Sequence, residues 1–208
     1  MASENGNSGS NENELDKRAW NPGLPEVLAY RKAGIAVVAT YLGLDDEFVN
    51  AVLADQMDEF LQDQVEARET AKEMHYDGYI ALLSREAMVR YAATAAETLL
   101  SSPDGSDDGE AVGATLGNVD DFNAAVRVHE IFEYIESPDA GSAGEEAERF
   151  LLLAKRHLCR YYHACAFGLV RGPLLPVVIA VAEDIYRGRE LSAKRCRELL
   201  IAEQNRTG

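Results

Sequence analysis

Apolar residues recur at helical spacing along most of the chain, and no stretch alternates strictly as a half-buried strand would. The pattern predicts six or seven helices. The first runs from about Pro25 to Leu42, with Pro25 suited to a first helical turn. Asp45 opens a second, long helix reaching about His75, with Phe48, Val52, Met57, Phe60, Leu61 and Val65 on one side and acids on the other. A third spans roughly Tyr79 to Leu100. A fourth runs from Asp120 to Glu136, with Phe122, Val126, His129, Phe132 and Ile135 near one stripe. A fifth covers Glu145 to about Val170, and a sixth begins near Pro173 and ends at "YRGREL". Ser192 reads as the N-cap of a short last helix.

The segments between these are turn-rich. "SSPDGSDDGEAVGATLGN" and "SPDAGSAG" are loops of Gly, Ser and Asp. Residues 1–20 are polar and poor in apolar side chains, so a disordered tail is expected there, followed by one all-α domain over 21–208. That N-terminus has the pattern of neither a signal peptide nor a membrane anchor. The most apolar run, "ACAFGLVRGPLLPVVIAVA", is interrupted by Arg171, Pro173 and Pro176, which suits two core helices meeting at a corner rather than a membrane span.

Composition narrows the class. Of 208 residues, 47% are hydrophobic, enough for a substantial core. The net charge of −16 argues against a nucleic-acid backbone or an anionic membrane as the main partner. The 3 cysteines, Cys159, Cys165 and Cys196, form no regular framework and read as reduced thiols of a cytoplasmic protein. Acidic, Arg-biased composition fits either a high-salt cytoplasm or a GC-rich genome.

One helix is oddly written. "AYRKAGIAVVATYLG", residues 29–43, is apolar, yet it carries Arg31 and Lys32 near its start and Gly34 inside. A glycine there costs about 1 kcal/mol relative to alanine, so a close approach of another backbone is one reason for it. The stretch also resembles the opening helix of the peptidase domain of FtsH-type ATP-dependent zinc proteases, written A-Y-H-E-A-G-H-A-V-V-A. Arg31 stands at the first zinc-binding His, Lys32 at the catalytic Glu, and Ile35 at the second zinc-binding His. Three further stretches are similar to family segments in the family's order. "REAMVRYAATAAETLL" looks like the helix ending A-G-x-A-A-E. "GNVDDFNAAVRVHEIF" is similar to the segment whose Asp opens a helix as the third zinc ligand; Asp121 is the best match, with its neighbour Asp120 also open. "AEDIYRGRELSAKRCRELL" is similar to the C-terminal ending.

The resemblance implies an FtsH-peptidase-like helical core whose chemistry is gone. A catalytic zinc needs three protein ligands and an open position, with a Glu as base. Arg, Lys and Ile supply none of these, so no cofactor and no hydrolysis by that mechanism are expected. A salt bridge from Arg31 or Lys32 to Asp121 could take the metal's place as a structural tie; alternatively both cations stay on the surface. The family's substrate-capturing strands and its ATPase module also have no counterpart in this sequence, which lacks G-x-x-x-x-G-K-[ST]. The function implied is that of a pseudopeptidase acting through protein–protein contact, as a subunit or regulator, with homo-oligomers implied by the family's rings.

Other readings remain open at this level. One is a helical interaction module without peptidase ancestry. Another is a metal site rebuilt around "HLCRYYHAC", where Cys159 and His163 are i, i+4, with His75 or His129 as further ligands. Core packing of thiol and aromatic groups is the simpler use of that stretch. A Cys159–His163 nucleophile lacks an orienting group. The pairs Glu130 and Glu133, or Glu145 and Glu146, lack the E-x-x-H partner of di-iron bundles.

Overall fold

The computed structural model describes residues 25–63, 76–101, 119–135 and 145–207. Over these residues the chain is all-α, with eight helices: α1 (Pro25–Tyr41), α2 (Asp46–Leu53), α3 (Met57–Asp63), α4 (Tyr76–Ser101), α5 (Val119–Ile135), α6 (Glu145–Arg171), α7 (Leu175–Tyr186) and α8 (Ala193–Thr207). The proposed tail over 1–20, both glycine-rich loops, His75 and Val65 lie outside the described residues.

Two helices form the centre. From Ala33 to Ala39 every residue of α1 is buried, and α4 is buried continuously from Val89 to Thr98. Such helices show little amphipathic contrast because neighbours cover them on all sides. The two cross at Gly34. A Cβ there would lie 2.4 Å from the Ala92 carbonyl oxygen and 2.6 Å from Ala96 Cβ. The glycine in α1 and the alanines in α4 are therefore one feature, a close backbone approach that admits no methyl group. On the outer side of α4 pack α5 and α6; on the outer side of α1 pack α7, α2 and α8.

The ends follow local chemistry. Asp45 caps α2 by accepting from Phe48 N at 2.6 Å, and the Ser192 hydroxyl accepts from Arg195 N at 3.4 Å at the start of α8. Asn50 Oδ1 on α2 also accepts from Ala193 N at 2.8 Å, tying α8 to α2. α1 and α7 end in Schellman motifs at Gly43 (φ +73°) and Gly188 (φ +67°).

Two expectations are corrected here. The long second helix is broken into α2 and α3. Asp55, at φ +62°, terminates α2 in a third Schellman motif, with Gln56 N on Ala51 O and Asp55 N on Val52 O. This break raises the helix number above six or seven. The expected stripe of α5 holds only in part, with Phe132 packed against the core. Phe122 is 68% exposed and His129 is exposed, while Asp121, Ala124, Val128 and Ile131 face inward.

The apolar run across α6 and α7 bends by 78° at residues 172–174, and α7 buries Val177, Val178, Val181 and Ala182. Among the described residues no single helix is long and apolar enough to cross a membrane.

Candidate functional site

Arg31, in the second turn of α1, reaches the first turn of α5 beside the middle of α4. Arg31 Nη2 donates to Asp120 Oδ2 at 2.5 Å, and its Nε is 3.9 Å from Glu97 Oε2 on α4. Arg90, also on α4, places Nη1 3.7 Å from Asp120 Oδ1 and Nη2 3.3 Å from Asp58 Oδ1 on α3. Asp120 thus lies between two guanidinium groups. Asp120, Glu97 and Arg90 are buried, so each needs its counter-charge.

Asp121 turns the other way. Its Oδ1 accepts from Thr94 Oγ1 at 2.7 Å. Burial pushes its carboxyl up to about 6, against the opposing hydrogen bond from Thr94; Asp120 adds to the rise and Arg31 opposes it. Glu97 is likewise raised, chiefly by burial, with Arg31 opposing. Lys32 leaves this network and meets Asp55 Oδ2 at 2.5 Å near the surface. The expected salt bridge to Asp121 is therefore not formed: Arg31 binds Asp120 instead, and Lys32 binds the αL residue that ends α2. Adjacent residues on a helix point about 100° apart, and that rotation separates the two aspartates.

Arg31, Lys32, Ile35 and Asp120 line a cleft of about 260 Å³, with Val52, Asp55 and Met57 on its opposite wall. Its donor set is unsuited to zinc. Two cations and an isoleucine occupy the α1 positions, and among the described residues no three His, Cys, Asp or Glu side chains stand together so as to hold a metal ion.

In the "HLCRYYHAC" stretch Cys159, Tyr162 and His163 serve packing, while His157, Arg160 and Tyr161 are exposed. His163 stacks on Phe167 at 4.2 Å between ring centroids and meets Tyr91 edge-on at 5.4 Å. Burial lowers its affinity for a proton. Cys159 lies within hydrogen-bonding reach of Tyr91, and burial raises its thiol, which makes it a poor nucleophile. His129 is on the surface, with Nε2 3.0 Å from Glu133 Oε1 and Nδ1 2.9 Å from Lys155 Nζ. Glu130 is held by Arg127 at 2.6 Å. Glu145 and Glu146 begin α6.

Sequence reasoning missed Glu97, Arg90 and Thr94 as parts of the site. The signal for them was present: charged and hydroxyl groups inside an alanine-rich helix demand buried partners.

The fold and site define an all-α protein whose central helix pair carries a buried arginine–carboxylate network at one end. Comparison with protein-family models, curated proteins and solved structures finds no match to the chain.

Proposed function

We propose that this chain is a catalytically inactive relative of the FtsH-type zinc peptidase domain, acting by binding other proteins in the cytoplasm. One observation carries the reading. Arg31 and Ile35 on α1 and Asp120 on α5 line the same cleft. Arg31 and Ile35 stand where the resemblance puts the two zinc-binding His; Asp120 is the open alternative for the third ligand, while the best match, Asp121, turns to Thr94 instead. The arginine then stands in for the cation, since its guanidinium is 2.5 Å from Asp120 Oδ2. Gly34 against Ala92 and Ala96 supplies the close helix contact that the motif's glycine would need.

The test is to rebuild the motif. A R31H/K32E/I35H variant should bind one zinc per chain by calorimetry and elemental analysis, and adding Asp120→Ala should abolish binding. A triple variant that keeps its helical circular dichroism but takes up no zinc overturns the peptidase relationship. The natural chain should not hydrolyse casein with zinc supplied.

The second reading, a helical interaction module of other ancestry, is favoured by the exposed apolar residues of α6. It shares the expectation of a protein partner, homo-oligomers included, and differs in predicting that the rebuilt motif stays empty.

A further inference from the structure

The surface of α6 differs in chemistry from the rest of the chain. Between Arg149 and Ala182 there is no Asp or Glu, although the whole protein carries 36 acids against 20 Lys and Arg. Leu153, Arg156 and Arg160 follow at i, i+3 and i+7, so they share one helical face, and all are exposed. Leu152 and Tyr161 border this face at 69% and 60% exposure. Among the described residues neither Arg156 nor Arg160 has a carboxylate partner, whereas Arg31, Arg90, Arg127, Arg189 and Arg197 each do.

An exposed strip that sets Tyr and Arg beside apolar side chains matches the centres of protein interfaces, where aromatic and arginine side chains are enriched and carry most of the binding energy. Two unpaired guanidinium groups beside apolar side chains call for carboxylates set next to apolar residues. We propose that this face of α6 docks an acidic amphipathic helix of another protein, with carboxylates meeting Arg156 and Arg160 and apolar side chains covering Leu153 and Tyr161. This surface is separate from the Arg31 cleft, and the inference stands whether or not the peptidase relationship does.

An anionic bilayer fits less well. Arg156 and Arg160 sit in the middle of the outward face rather than flanking an apolar sector, so insertion would drag them toward the acyl chains. The net charge of −16 also repels such a surface. A second copy brings the same repulsion.

The experiment pans a displayed random-peptide library on the full-length protein, with the R156E/R160E variant as counter-target. Selected peptides should be enriched in Asp and Glu with apolar residues three or four apart. Their synthetic forms should bind about tenfold or more weakly to R156E/R160E and to Leu153→Ser, as expected when a charge pair or an apolar anchor at an interface is removed. Unchanged circular dichroism certifies the variants, and the neutral R156Q/R160Q replaces the reversal should it misfold. Peptides without acid enrichment, or binding indifferent to these substitutions, overturn the proposal. So does binding of phosphatidylglycerol vesicles that requires Arg156 and Arg160, which would assign the face to lipid. Self-association in sedimentation that the same variants abolish would assign it to a second copy and likewise overturn the proposal.

Discussion

Arg31 Nη2 and Asp120 Oδ2 stand 2.5 Å apart across the junction of α1 and α5, and this contact organises the end of the central helix pair. Removing one member strands the other. Arg31→Ala leaves Asp120 and Glu97 short of a counter-charge, and breaking such a pair from one side costs about 3 kcal/mol or more. Urea unfolding at pH 7 should show that loss. Replacing both residues, as Arg31→Met with Asp120→Asn, should recover at least half of it. Equal destabilisation by single and double variants would mean that the two charges are not coupled.

Gly34→Ala pits helix propensity against space. Alanine gains about 1 kcal/mol over glycine inside a helix, but the new Cβ would sit 2.4 Å from a carbonyl oxygen of α4 and 2.6 Å from Ala96 Cβ. Backbone on one side and a short side chain on the other give little, so overpacking wins, with a net loss of about 1–3 kcal/mol. Gly168 in α6 is the control, since nothing lies within 4 Å of its added Cβ. Gly168→Ala should stabilise by about 0.5–1 kcal/mol. Thermal melts of the two variants should move in opposite directions.

These cases also mark what was legible. Helix starts at Asp45 and Ser192 were readable because their caps are local chemistry, the start at Pro25 because proline suits a first turn, and Gly34 because a glycine amid alanines implies close packing. The break at Asp55 was not. It uses an aspartate in the left-handed conformation where a glycine would have given the signal. The inward face of α5 was misread because it opens with buried acids: Asp120 and Asp121 face α1 and α4 ahead of Ala124, Val128 and Ile131, which sends Phe122 outward. The partner of Arg31 was misplaced by one residue, a distinction that needs the helix phase and not the spacing alone.

Asp55 itself is testable. A side chain at φ +62° is tolerated by Asp, favours Gly and excludes β-branched residues. Asp55→Gly removes strain but also an exposed ion pair with Lys32 that contributes at most about 1 kcal/mol, so stability should change little or rise slightly. Asp55→Val loses the pair and forces a disfavoured backbone, costing about 1–3 kcal/mol. A Val variant as stable as the Gly variant would show that this turn does not constrain the junction of α2 and α3.

Asp121 makes the fold pH-dependent. Its carboxyl lies at about 6 in the folded protein, above the 3.8 of a free side chain, so between these values the folded state holds a proton that the unfolded state lacks. The burial penalty is present above pH 6 and is relieved as pH falls through 6 toward 4, so this group raises stability on acidification, by on the order of 2 kcal/mol. Asp121→Asn keeps an acceptor for Thr94 and removes the titration. It should be at least as stable as the natural chain at pH 7 and should rise less between pH 7 and 5 in urea unfolding. An unchanged pH slope would place the proton elsewhere, Glu97 being the neighbour whose affinity is raised in the same direction.

His163 acts with the opposite sign. Burial between Phe167 and Tyr91 holds its folded pKa below 6.5, so the unfolded chain takes up the proton first as pH drops. Stability from keeping the ring neutral is complete above 6.5 and is lost as pH falls through that value toward the folded pKa. The natural profile between pH 7 and 5 therefore sets gains at Asp121 and Glu97 against a loss at His163. His163→Phe fits the same aromatic stack and cannot be protonated. It should melt at or above the natural temperature at pH 7, and its advantage should widen at pH 5. In the H163F/D121N double variant both contributions vanish, and the profile over this range should flatten to the gain on acidification that Glu97 supplies. A His163→Phe advantage that stays constant with pH would show that the ring binds its proton equally well folded and unfolded, contrary to the burial that lowers its proton affinity.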